Sequence, residues 1–303
     1  MNAPQPDGVP EPSRRMHDPA QSGPTVLRIL LGGQLRRPRA ATGISPTQAG
    51  DAIRASASKI SRLELGRVGF KKRDVTDLLT LYGVTADEER DPLLDLAEQA
   101  NQPGWWQRYS DDLPPWFEVY IGLEEAASAL RVHETRCVPE LLQTEDYARA
   151  AFGLAHPLAS TKELECRVKV LMRRQQILRH DTPPHLWALV DEAALRRPIG
   201  HPEIMRVQLA TLLDAIRSEH VTLQIVPPAR SAMTAMAGSF SLLRFAEPSL
   251  PDVVYMQQMT SALYLDKKAD RLVYKRHLDR LSVNASPPAD TEGVLTALLD
   301  EMR

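Results

Sequence analysis

The chain has 303 residues, 43% hydrophobic and 25% charged, with a net charge of -2; that length points to two domains, and that balance excludes a fibrous or wholly disordered protein. No apolar run approaches the roughly 20 residues that span a bilayer, and residues 1–24 hold no segment of the signal-peptide kind, so a cytoplasmic location without a membrane partner is expected. Residues 25–75 carry eleven basic and three acidic side chains, a charge of +8 that leaves -10 for the remainder. Such a cationic module suits a polyanion, although charge alone does not separate DNA from RNA or a membrane surface.

Residues 1–23 contain five prolines and few large apolar side chains, and are expected to form a disordered tail. From Thr25, apolar Val26, Ile29, Leu30 and Leu35 recur at helical spacing up to a stop at Gly43, and Pro38 is expected to kink this helix or end its regular part early. Ser45 followed by Pro46 predicts a helix start and Ser56 a second one, which gives two short helices across a tight turn. Val75, Leu78, Leu79 and Leu81 mark a fourth helix, and a fifth opens at Thr85 with acidic residues in its first turn. The five make an all-α domain over residues 24–100.

The stretch "NQPGWWQRYSDDLPPWFEVY" breaks the regularity and reads as a packed hinge whose Trp105, Trp106, Trp116 and Phe117 need cover. Beyond it, "LWALV", "VTLQIV", "FSLLRF" and "DVVYM" have the length and punctuation of strands. Helical patterns lie among them, in "STKELECRVKVLMRRQQIL", "HPEIMRVQLATLLDAIRSEH", "KADRLVYKRHLDRLSV" and near "TEGVLTALLDEMR". Residues 101–303 are therefore expected to form a mixed α+β domain, with no internal repeat.

Residues 43–67, "GISPTQAGDAIRASASKISRLELGR", fit a helix-turn-helix, in which one helix crosses the phosphate backbone and a short second one enters the major groove. Ala49, Ala52, Ile53, Ile60 and Leu63 are the inward positions. Ser58, Lys59, Ser61 and Arg62 then face outward as candidates for base edges and nearby phosphates, with Ser56 at the start of the same helix. Arg67, Lys71 and Lys72 are candidate phosphate ligands, as is the start of the preceding helix at Thr47 and Gln48, where backbone N–H groups are free. The competing reading is an ordinary helical hairpin with a solvated basic face.

This stretch resembles the lambda-repressor-type (Cro/CI, or XRE) helix-turn-helix. The resemblance implies a structural ion pair between Arg39 and Glu64, which removes Glu64 from the DNA contacts. Further segments in the right order, among them "KISRLELGR", "PGWW", "LPPWFEVYIGLE", "VPELLQTEDYARA", "DEAALRRPIG" and "DVVYMQQMTSALYLD", are similar to the WhiJ-like regulators of actinobacteria, over nearly the whole chain from Thr25. That likeness implies a C-terminal domain of uncertain function and a small companion protein as a partner. Four positions depart from the pattern: Arg54 stands where glycine is usual, Pro38 where a helix former is usual, Glu140 in place of glycine and Gln257 in place of glutamate.

In the second domain His133, Glu134 and Cys137 invite a metal or nucleophile reading. Alternation along an extended "ALRVHETRCVP" puts His133 and Cys137 on one face and Glu134 on the other, so packing is expected instead. Cys137 and Cys166, the two cysteines, are expected to be buried thiols; they are too few for a disulfide framework or a four-cysteine zinc site, and no metal or cofactor is expected. Asp191 and Glu192 form a carboxylate pair beside Arg196 and Arg197, where helix capping and ion pairing are expected over acid–base chemistry. No GxSxG, P-loop or GxGxxG occurs, and no catalytic residue is assigned. Loop 227–240 reads equally as a lid over a pocket or as a long hairpin loop. Gln143, Thr144 and Tyr147, with Thr144 as a helix N-cap, join Asp191, Glu192 and Arg196 as a candidate effector or partner site.

The expected function is a non-enzymatic, sequence-specific DNA-binding transcriptional regulator, a homodimer on double-stranded DNA whose C-terminal domain senses an effector or docks a partner. The alternative is an antitoxin-like interaction protein that captures a small companion protein and binds its own promoter. A third reading is an enzyme with an appended DNA-binding domain.

Overall fold

The computed structural model describes residues 23–248 and 250–302; the disordered tail expected over residues 1–23 lies outside the described residues except for Gly23. Five helices come first: α1 Pro24–Ala41, α2 Pro46–Ala52, α3 Ala57–Glu64, α4 Lys72–Leu81 and α5 Asp87–Ala100. Ser45 starts α2 through a reciprocal cap, its Oγ accepting from the Gln48 N–H at 3.3 Å while Gln48 Oε1 accepts from the Ser45 N–H at 2.9 Å. Pro38 does not end α1, which runs on through it to Ala41. The lost bond falls in the last turn, where the Gln34 residue is exposed and water can serve its carbonyl. The fifth helix begins at Asp87 with Ala86 as its N-cap, two residues past the expected Thr85, and Asp87, Glu88 and Glu89 sit against its positive end. Leu81 is 38% exposed instead of inward, and neighbouring Tyr82 fills the core.

The segment read as a hinge is instead a short 3-10 turn, Trp105–Tyr109, followed by α6, Pro115–Ala126. Pro114 is the extended N-cap and Pro115 the first helical residue, and nothing after them breaks the run. Trp106 finds its cover against Leu113, Ile121, Cys166 and Val170. Gly122 of α6 meets Thr25 of α1 so closely that a Cβ there lies 2.1 Å from Thr25 Oγ1. The junction between the halves is therefore a packed helix crossing, and Phe245 and Leu250 of the second half add to the core of the first.

The second half is built on one six-stranded mixed sheet in the order β3-β2-β1-β4-β5-β6. Its strands are β1 Ala129–Glu134, β2 His185–Asp191, β3 Val221–Val226, β4 Phe240–Arg244, β5 Val253–Gln257 and β6 Ala262–Leu265. The first three are parallel and the last three join antiparallel. Around it lie α7 Glu145–Ala155, α8 Thr161–Arg174, α9 Glu192–Arg196, α10 Pro202–Ala215, α11 Ala232–Ala235, α12 Lys268–Asn284 and α13 Thr291–Asp300. Alternation sends Leu130, Leu186, Leu223 and Leu243 to the face covered by α6, α10 and α13, and Leu189, Val226, Leu242 and Val254 to the face covered by α12. An all-α helix-turn-helix module followed by an α+β domain is the expected architecture.

Loop 227–240 is no hairpin, because β3 and β4 are separated by β2 and β1. It crosses the end of the sheet, carries α11 and is pinned by the fully buried Thr234, whose Oγ1 donates to an Asp191 carboxylate oxygen. The face assignment around Glu134 is also corrected. Strand β1 ends at Glu134, so the alternation stops there and the following turn brings Cys137 to the side of Glu134. His133 is fully buried on the other face, between the carbonyls of Leu189 at 3.3 Å and Thr234 at 3.4 Å. Cys166 is buried as expected, whereas Cys137 is only half-buried.

Candidate nucleic-acid interface

Helices α2 and α3 are held at close range by their backbones. The Ala55 N–H donates to the Gly50 carbonyl at 2.8 Å, and a Cβ on Gly50 lies 2.5 Å from the Ala55 carbonyl oxygen, so no larger residue fits this approach. Gly50 takes the inward place expected of Ala52, which is exposed because α2 ends there and Ile53 turns into the core. Arg54 has φ 53°, the only positive φ of a non-glycine among the described residues, and it stands at the turn where the resembled pattern uses glycine. Ser56 then caps α3 by accepting from the Lys59 N–H at 3.2 Å.

From behind, α3 rests on α1. Ile60 and Leu63 are 1% exposed, and a Cβ on Gly32 of α1 lies 2.5 Å from the Leu63 carbonyl oxygen. Arg39 forks onto Glu64 at the end of α3: Nε donates to Oε1, Nη2 to Oε2 at 2.9 Å, and Nη1 to the Ile44 carbonyl at 2.7 Å. The hydrogen bond to Glu64 raises the Arg39 guanidinium above its ordinary range. Beside this pair, burial and the Glu64 charge push the Tyr82 phenol up to about 12. Lys59 is also engaged, its Nζ lying 2.6 Å from Asp74 Oδ2 on α4, so it braces α3 against α4 rather than standing free.

The opposite face of α3 stays open. Ser58, Ser61 and Arg62 are exposed, as are Thr47, Gln48, Arg54 and Ser56 around them. Arg67, Lys71 and Lys72 are exposed in the segment that leads into α4. The second half meets the first through α1, Phe245 and Leu250 and leaves this surface uncovered. A row of exposed cations around small hydroxyl side chains can meet a polyanion without first breaking an ion pair.

The second-domain candidates are engaged in local structure. Tyr147 is fully buried with its hydroxyl accepting from the Val138 N–H at 3.1 Å, and Gln143 Nε2 donates to the Val138 carbonyl at 2.7 Å. Thr144 caps α7, accepting from the Tyr147 N–H at 3.3 Å, while its own N–H donates to Gln208 at 2.7 Å. Asp191 caps α9 through the Ala193 N–H at 2.9 Å and also accepts from Thr234. Glu192 pairs with Arg196 at 2.7 Å, and Arg196 reaches on to Glu301. These six side chains tie turns and helices together and do not converge on an opening.

The opening lies elsewhere. Between the sheet and helices α6 and α8 is a cavity of about 100 Å³. Arg174, 3% exposed, holds Glu124 through Nε at 2.7 Å and Nη2 at 2.8 Å, and Glu140 through Nη1 at 2.5 Å. Tyr120 and Tyr255 stack at 4.0 Å between centroids, and Glu134 enters from the end of β1. Burial pushes the Glu134 carboxyl up to about 7. Glu140 and Gln257, two of the positions that depart from the resembled pattern, both line this cavity. Sequence reading missed it because its walls come from six separated segments, and Arg174 lies in a helix whose charges look like an ordinary solvated face. Among the described residues no three His, Cys, Asp or Glu side chains are placed so that they could hold a metal ion together.

A family model described as Domain of unknown function (DUF5753) matches residues 117–297, more than half of the chain, and one described as Helix-turn-helix domain matches residues 30–93. Neither the curated proteins nor the solved structures compared with the chain contain a match.

Proposed function

The chain belongs to the DUF5753 family and carries a helix-turn-helix domain ahead of that region; on that premise we propose that it is a sequence-specific, DNA-binding transcriptional regulator. Helix α3 enters the major groove with Ser58, Ser61 and Arg62 at base edges, while Arg67, Lys71, Lys72 and the start of α2 at Thr47 and Gln48 hold phosphates. Lys59 keeps α3 seated through Asp74 and stands beside the backbone. The regulator is a cytoplasmic homodimer of the Cro/CI type, WhiJ-like and actinobacterial in kind, and its C-terminal domain senses an effector rather than turning over a substrate. The observation that carries this reading is the open polar face of α3, held from behind by Gly32, Leu63 and the Arg39–Glu64 pair.

Gel retardation of a duplex pool by the full chain tests it. Affinity should fall steeply with salt, Arg62→Ala should weaken sequence choice, and Lys71→Ala with Lys72→Ala should lower the salt slope by up to about 2 without changing sequence choice. Binding that ignores salt, or variants that bind as the parent does, would count against it. Capture of a small companion protein is the second reading. It draws on the edge strand β6, where Leu263 is 51% exposed and nearby Met259 87% exposed, a place where another chain can add a strand. Co-purification of one small protein that leaves when Leu263 is replaced by lysine would favour it.

A further inference from the structure

The cavity in the second half has a chemistry that narrows its occupant. On this face of the sheet Val132 of β1 pairs with Ser241 of β4, and Ser241 with Tyr255 of β5; the short side chains of Val132 and Ser241 leave room under α6 and α8. At about 100 Å³ the space is somewhat smaller than the roughly 150 Å³ apolar cavity that holds a benzene ring. An occupant of five or six heavy atoms fits. Leu130, Leu186 and the Tyr255 ring give it apolar walls.

The charges are unequal. Glu124, Glu134 and Glu140 all line the cavity, and the buried cation, Arg174, is already shared between Glu124 and Glu140. Glu134 accepts from the Ser239 hydroxyl at 2.8 Å and from the backbone of Arg136; the Arg136 side chain, exposed at the rim of the same cavity, lends it a favourable charge but forms no salt bridge with it. Glu134 is half-buried and keeps accessible surface on the cavity. An anion placed here would meet three carboxylates, and a neutral molecule would leave Glu134 with only the solvent-screened charge of exposed Arg136.

We propose that this cavity binds a small organic cation, a primary amine on a short apolar body, with the Glu134 carboxylate as its counter-charge. This deepens the effector-sensing reading above and rests on it. The ammonium group stands against Glu134 and Ser239, and its alkyl part lies against Tyr255 and Leu130. Turn residues Arg136, Cys137 and Glu140, Tyr147 of α7, Arg174 of α8 and Arg197 after α9 are the other titratable or charged groups around Glu134. Of these, Arg136 and Arg197 are exposed.

Calorimetric titration of the full chain with n-butylamine, 1-butanol and butyrate provides the test. Butylamine should bind at least tenfold more tightly than either isostere. Its affinity should fall about tenfold per pH unit below about 7, because the cation takes only the ionised carboxylate. Glu134→Gln should lose at least tenfold in affinity together with that pH dependence. Ser241→Leu, which fills the space and keeps the carboxylate, should abolish binding even if Glu134→Gln does not fold. Equal binding of 1-butanol, butylamine binding retained by either folded variant, or binding of none of the three probes overturns the proposal. The same preparations are assayed for duplex retention. A chain that retains DNA and ignores butylamine loses only this site, whereas one that binds butylamine through Glu134 and retains no DNA keeps the site and loses the regulator reading.

Discussion

Arg39 and Arg174 each grip a glutamate through two nitrogens, one in each half of the molecule, and their surroundings differ. Around Arg39 the helices approach through Gly32 and Gly50 until backbone touches backbone, and the neighbouring cations Arg54, Arg62, Arg67, Lys71 and Lys72 are exposed. Around Arg174 the acids outnumber the buried cation, the short side chains of Val132 and Ser241 leave a space, and Glu134 has no salt bridge, only the exposed Arg136 at the rim. Tight packing in the first half fixes a surface on which charge is displayed. Looser packing in the second half encloses charge and leaves a place for something else. A buried arginine therefore marks a structural brace in one half and the wall of a cavity in the other.

The contrast can be broken most severely at Arg174. Its side chain is 2% exposed, so Arg174→Ala strands Glu124 and should cost about 3–5 kcal/mol in chemical denaturation. A loss below 1 kcal/mol would mean that water already reaches this pair. Next in size is the pH dependence set by Glu134, whose carboxyl rises from 4.5 to about 7 on folding. A raised folded value means that its protonated form stabilises the fold below pH 4.5, and that this contribution is lost as pH rises to about 7. Relative to Glu134→Gln, the parent without ligand should lose on the order of 3 kcal/mol across that window, measured by urea denaturation at several pH values. Equal profiles for the two proteins would place Glu134 in ready contact with water.

In the first half the matching change is smaller. Glu64→Ala leaves Arg39 with its bond to the Ile44 carbonyl and with 12% of its side chain exposed, so about 1–3 kcal/mol should be lost in thermal unfolding, with weaker DNA binding as α3 loosens. Full DNA affinity in that variant would separate the pair from the seating of α3. The smallest effect belongs to Arg54→Gly, which relieves a positive φ and should stabilise the fold by up to about 1 kcal/mol. Destabilisation would show that the Arg54 side chain holds the turn.

How much of this could be read beforehand follows from where the signals lie. Ser45 with Pro46 and Ser56 announce α2 and α3 because capping is local, and β2 to β5 announce themselves through short apolar runs between turn residues. Helix α6 was hidden by Pro114 and Pro115, which look like breakers and act as a helix start, and the 3-10 turn at Trp105 by the Pro103–Gly104 pair before it. Strand β6 is only four residues long and half covered, so it has no apolar pattern of its own. The outward face of α3 was legible apart from Lys59, whose pairing with Asp74 across fifteen residues has no local signature. The cavity was not legible at all. Its acids and its arginine come from different elements, and only the β1–β4 register puts Glu134 beside Ser239.

Selection of binding sites by the full chain from a random duplex pool, at a salt concentration that removes non-specific binding, decides whether α3 reads sequence. One recurring motif with two-fold symmetry, its half-sites about 34–36 Å apart, should emerge and should no longer be recovered with Arg62→Ala. A pool that stays random for the parent chain, or the same motif recovered by the variant, would contradict α3 as the reading element.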